Sequence, residues 1–169
     1  MSSQTAKLKV DPRDGKLAMA HFYVAFIALA LGGLMGLLQT LVRSGKFELP
    51  WGIDYYQILT VHGVLMGLVL TTFFIMGFQY AAVSRTAGTH SPAARRIGWI
   101  GFWVMTVGTI MAATMVLLKE ASVLYTFYAP LKAHWIFYLG MTFVVVGSWL
   151  DGAAQIMPYA KWRKENPGK

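Results

Sequence analysis

Four apolar runs set the terms on which this chain can fold: residues 17–42, 55–83, 97–118 and 134–159. Each reaches the roughly 20 residues that a helix needs to cross about 30 Å of hydrocarbon. The chain has only 169 residues, of which 56% are hydrophobic, above the roughly 45–50% usual in soluble domains. Little is left for a soluble domain. The connections are short, so successive helices are antiparallel neighbours. The expected fold is all-α, an integral membrane bundle of four transmembrane helices, with a leader at 1–16, the spanning module at 17–159 and a tail, or a link to further helices, at 160–169.

The formal charge of +8 would suit nucleic acid if it were clustered, but it follows the membrane instead. Lys7, Lys9, Arg13 and Lys16 precede the first span, Arg85, Arg95 and Arg96 lie between the second and third, and Lys161, Arg163, Lys164 and Lys169 follow the fourth. Only Arg43, Lys46, Lys119 and Lys132 fall on the other side. An excess of Lys and Arg in short loops marks the cytoplasmic face, so both termini are expected in the cytoplasm of a multi-pass protein of the cell membrane, a prokaryotic plasma membrane. Nucleic acid is not an expected partner; the lipid bilayer is. Cysteine is absent, which removes iron–sulfur clusters, thiolate-ligated haem and cysteine-based copper sites from this chain. The polar leader, with Asp11-Pro12, precedes a first span too long for a signal-peptide core, so that span is expected in the mature protein.

Aromatic residues gather at the predicted boundaries: Trp51, Tyr55, Tyr56, Tyr125, Tyr128 and Trp135 on the outer side, Trp99, Tyr159 and Trp162 on the inner. Interfacial belts account for most of these positions. Glycines recur four apart, at Gly32 and Gly36 in the first span and Gly63 and Gly67 in the second. Such spacing lets helix backbones approach where lipid supplies no hydrophobic drive for association. Close packing suffices to explain the first pair. The second pair flanks His62, where a flat macrocycle would also need missing side chains.

His62 stands out because Thr60-Val61-His62-Gly63-Val64-Leu65-Met66 opens an otherwise apolar stretch. An imidazole in hydrocarbon without a partner costs on the order of a few kcal/mol, so a ligand, a hydrogen bond or a water-filled cavity should compensate it. At about 1.5 Å per residue it lies roughly 10 Å inside the outer end of its helix. Met66, Leu70, Phe73 and Gly77 continue the same face at spacings of three and four. A metal is the most economical partner, and a histidine hydrogen-bonded to a neighbouring helix is the competing reading. His21 and His90 lie towards the inner side, and His134 about two turns further out than His62, so none matches it as an opposing ligand. Gln39, Gln79, Asp151 and Gln155 are the main other polar groups within the spans. For Asp151, pairing with a neighbouring polar group is favoured over a proton route.

Thr60-Val61-His62-Gly63, led in by Asp54-Tyr55-Tyr56-Gln57-Ile58-Leu59, resembles the second helix of haem-copper oxidase subunit I. Leu124-Tyr125-Thr126-Phe127-Tyr128-Ala129-Pro130-Leu131-Lys132 resembles the outer loop before its fourth helix, in the manner of the B-type branch, and Asn166-Pro167-Gly168-Lys169 follows in place. The resemblance runs from the first span to the end of the chain. It implies that His62 is an axial ligand of a low-spin haem, most simply b-type, with Gly63, Met66 and Gly67 packing on the macrocycle and Tyr125 and Tyr128 near its propionates. It also implies an N-terminal portion of a respiratory terminal oxidase subunit, because the family has about a dozen spans. The later helices carry the second low-spin ligand, the second haem and the copper. Expected partners are the remaining helices of subunit I, small membrane subunits, a copper-containing electron-entry subunit and cytochrome c or a similar donor. Rival readings are a stand-alone haem carrier that completes its ligands by oligomerising, a nitric oxide reductase-like fragment, and a non-redox assembly partner with a structural His62.

Overall fold

The computed structural model of the chain describes residues 9–122 and 132–167. Four helices, Pro12–Arg43 (α1), Tyr55–Thr86 (α2), Pro92–Leu117 (α3) and Trp135–Glu165 (α4), are each long and apolar enough to cross a membrane. Each begins where the sequence supplies an acceptor for the unpaired N–H groups of a first turn. Asp11 accepts from Arg13 N at 2.8 Å, Ser91 from Ala94 N at 3.1 Å and His134 from Ile136 N at 3.4 Å. At α2 the cap is reciprocal: Asp54 accepts from Gln57 N, and the Gln57 side chain accepts from Asp54 N. Gln57 then uses its amide nitrogen on Val116 O of α3 at 2.9 Å, tying the two helix ends together.

Two boundaries differ from the sequence expectation. α1 starts at Pro12 rather than 17, because Asp11-Pro12 is a cap followed by a proline at the first helical position, where its missing N–H is no loss. α4 runs through Pro158 to Glu165, so most of the expected tail at 160–169 is helical. A proline inside a helix removes one ladder bond, and in a membrane helix neighbouring packing can offset that loss.

Hydrogen bonds from Asp11 N to Ser84 and from His90 N to Asp14 join the start of α1, the end of α2 and the start of α3. This is the terminal end of the bundle. At the far end Lys119 turns the chain with φ 64° and donates from Nζ to Gly52 O at 2.6 Å, while Ala121 pairs with Ala133.

Small residues set the helix contacts. A Cβ on Gly101 would lie 2.8 Å from Gly147 O, so α3 and α4 meet backbone to backbone. A Cβ on Gly77 would lie 2.9 Å from Ala18 O, which does the same for α1 and α2. Phe73, Tyr80, Met105 and Phe137 fill the interior, whereas Phe26, Trp103 and Trp149 are exposed. Large apolar groups on the outside of the bundle suit lipid or further helices, not water. Within α2, residues Leu65–Leu70 form a π-helical segment beginning three positions after His62.

Candidate metal-ligand site

His62 is half-buried against α1. Its Nδ1 lies 2.8 Å from Gly32 O. A carbonyl only accepts, so Nδ1 carries the proton and Nε2 keeps its lone pair. Nε2 makes no hydrogen bond among the described residues. The carbonyl has a second lone pair to offer beyond its helical bond, which lets α1 hold the ring without unwinding.

The ring fits because α1 presents a notch. A Cβ on Gly36 would lie 2.7 Å from His62 Cε1 and 2.8 Å from Nδ1. A Cβ on Gly32 would lie 2.9 Å from Met66 Sδ. The pair read as simple packing glycines is therefore the seat of the imidazole. Of the pair expected beside it, Gly63 is buried and Gly67 is exposed with open space where a Cβ would go. Met66 stays on the α1 side, over Gly32. Tyr125 and Tyr128 lie outside the described residues.

The π segment that follows is a recurrent device near functional positions. Beside it, an apolar cavity of about 340 Å³ is lined by Val24, Ala28, Met35, Val61, Leu65 and Phe137, among others. Among the described residues no three His, Asp or Glu side chains gather as a metal cage. Among the described residues, His62 offers an oriented imidazole with a free lone pair on Nε2, a donor able to fill a single coordination position of a metal.

Towards the terminal end the bundle holds a second polar group of residues that the sequence did not bring together. His21 is fully buried, with Nδ1 2.9 Å from Leu17 O and Nε2 3.0 Å from Asp151 Oδ2. Tyr80 donates to Asp151 Oδ1 at 2.7 Å. Asp14, also fully buried, accepts from His90 N at 3.0 Å and Thr89 Oγ1 at 3.1 Å, and pairs with Arg95 Nη1 at 3.1 Å. Asp151 thus has the pairing expected of it, with a partner 130 positions away. One signal was readable: Asp14, Leu17, His21, Ala25 and Ala28 are spaced three or four apart, so both polar groups sit on the buried stripe of α1.

The chain is thus a helical membrane bundle that seats one histidine in a glycine notch, its other ring nitrogen without a hydrogen bond among the described residues. The chain matches the family of cytochrome c and quinol oxidase polypeptide I over residues 16–168, and it belongs to that family. It is 36% identical over 162 residues to cytochrome c oxidase subunit 1 of Thermus thermophilus, covering 91% of this chain and 28% of that protein. It is 30% identical to the subunit 1 of Corynebacterium glutamicum, covering 75% of this chain and 22% of that one. A haem-copper terminal oxidase dimer solved by cryo-EM superposes with a TM-score of 0.83 at 36% identity, over 95% of this chain and 28% of that chain. The chain therefore spans about a quarter of the length of the relatives it matches. Membership implies haem and copper as the family's cofactors, together with other subunits and an electron donor, and the four apolar helices make this a multi-pass protein of the plasma membrane.

Proposed function

We propose that this chain forms the N-terminal part of the catalytic subunit of a respiratory terminal oxidase and that His62 is an axial ligand of its low-spin haem, b-type in the simplest case. The observation that carries the reading is the division of labour on one ring. Gly32 O holds Nδ1–H, which fixes the tautomer and orientation and leaves Nε2 for iron, the arrangement by which metal-ligating histidines are usually held. Gly36 keeps the space beside the ring free of side chain. The bound haem would supply one-electron redox chemistry, and its potential would respond to the axial ligand and the hydrogen bond behind it.

The opposing ligand comes from outside the described residues, since His21 and His90 are engaged elsewhere and His134 caps α4. Electrons from cytochrome c or a similar donor would enter through a copper-containing subunit, pass this haem and reach a haem-copper centre that reduces dioxygen to water with proton translocation. The remaining helices of the subunit would carry that centre. Tyr125 and Tyr128 are proposed near the haem propionates, and the loop from 124 to 132 favours the B-type branch. The charge distribution favours cytoplasmic termini, with His62 towards the opposite face.

In the haem-loaded oxidase, His62→Ala should abolish the low-spin haem spectrum and electron entry. Retention of that spectrum would end the assignment. The 169-residue chain alone should bind haem weakly or not at all; a bis-histidine low-spin spectrum from it would favour the self-sufficient carrier.

A further inference from the structure

The stripe of α1 that seats His62 continues beyond the notch. At 3.6 residues per turn, Gly32, Gly36, Gln39 and Arg43 share one face. Gln39 stands one turn, about 4.5 Å, beyond Gly36 towards the far end. Its neighbour Thr40 is satisfied within the helix, donating to Gly36 O at 2.9 Å. Gln39 is not. Its side chain makes no hydrogen bond among the described residues, and its Oε1 is sealed from solvent without a partner. Arg43, exposed at the end of the helix, has no acidic partner among the described residues.

A primary amide placed in hydrocarbon without a partner is unfavourable. A membrane helix that ends this stripe in an unpaired amide and an unpaired cation offers donors to an anion lying next to His62. Haem brings such an anion, because the polar substituents at the edge of its ring are carboxylates. The oxygen and nitrogen ends of an amide exchange by a simple flip, so Gln39 can present either.

We propose that Gln39 donates a hydrogen bond to a carboxylate at the edge of the haem that His62 ligates, with Arg43 one turn further out as its countercharge. This inference rests on the haem-ligand reading of His62.

The test uses the haem-loaded oxidase with Gln39→Met, which keeps the side-chain length, and separately Arg43→Gln. Each should keep the low-spin band. Each should also lower the ferrous-to-ferric ratio at fixed ambient potential, by up to about tenfold, equivalent to about 59 mV for a one-electron couple. The sign follows because a less compensated carboxylate favours the ferric ring. The propionate bending frequency in resonance Raman should shift in the same samples. An unchanged potential and an unchanged propionate mode in both variants, with the low-spin band intact, would overturn the proposal. Should Gln39→Met not assemble, Arg43→Gln, at an exposed position, decides on its own. His62→Ala separates the two levels. If the band survives that change, the ligand reading fails and this one with it; if the band is lost but Gln39 and Arg43 are silent, only this inference fails.

Discussion

His21, on α1, and His62, on α2 and seated against α1, differ in kind in their surroundings. His21 is bonded at both ring nitrogens, to a backbone carbonyl and to Asp151, and is ringed by Phe73, Tyr80 and Phe102 at centroid distances of 5.8, 5.5 and 5.0 Å. Among the described residues, His62 is bonded at one nitrogen only. Around His21 every acceptor and donor is used, and the group joins α1, α2 and α4. Around His62 the helix supplies one hydrogen bond and then removes side chains. A saturated imidazole is structural material; a half-saturated one held at a fixed angle is available to a ligand. His90, at the terminal end, belongs between them: Nδ1 pairs with Asp14 while Nε2 is buried without a partner among the described residues, with the imidazole packed near the Tyr80 ring at 5.1 Å.

The sharpest way to break the contrast is to exchange the consequences of mutation. His62→Ala should remove the low-spin haem spectrum entirely while leaving the apoprotein's helical content intact by circular dichroism. Equal destabilisation of the apoprotein would make His62 structural, as His21 is. Asp151→Leu should do the opposite. Removing one partner of a buried pair strands the other, an effect of about 3–5 kcal/mol, so loss of the folded bundle in detergent melting is expected whether or not haem is present. A melting temperature unchanged by this substitution would show that the polar group does not hold α1 to α4.

Smaller changes sharpen the comparison. Gly36→Ala puts a methyl group where the His62 ring lies, so the ring must move. Axial-ligand strength should fall, with haem retention reduced about 10- to 100-fold, the usual consequence of disturbing what orients a metal ligand. Retention equal to wild type would mean that the notch does not position the ring. Asp54→Ala removes the reciprocal cap at the start of α2 and should cost about 1 kcal/mol, read as a modest fall in melting temperature with the haem spectrum unchanged.

The smallest effect is one of pH. Hydrogen bonds from Arg13 hold the Asp11 carboxyl below its ordinary value. A carboxyl depressed in the folded state stabilises above its unfolded pKa and loses that contribution as pH falls through the folded value. The helix start should therefore loosen only in strong acid, and Asp11→Asn should remove that pH dependence. A dependence near neutral pH would point to another group.

Much of this was legible in the chain. The four spans follow from apolar length alone, which also placed the start of α2 at Tyr55; the reciprocal cap of Asp54 and Gln57 came only from the structure. His62 was isolated by the cost of a lone imidazole among apolar residues. The misses share a cause. Local signals were read by their commonest meaning: Asp11-Pro12 as leader rather than cap, and Gly32 and Gly36 as generic packing rather than a seat for a ring on another helix. The pairing of His21 with Asp151 spans most of the chain, and no spacing rule reaches that far. The π segment at Leu65–Leu70 was not read from the sequence at all.

That segment also governs which changes in chain length α2 can absorb. A π turn holds roughly one residue more than the α turn it replaces. Deleting a single residue within Leu65–Leu70 would let the ladder relax to α geometry while His62 on one side and Phe73 on the other keep their directions. A deletion elsewhere in the helix would swing everything beyond it by about 100°, turning either the imidazole out of its notch or the packing residues into lipid. The six residues from Leu65 to Leu70 are the place in this span where length can change and aim can survive.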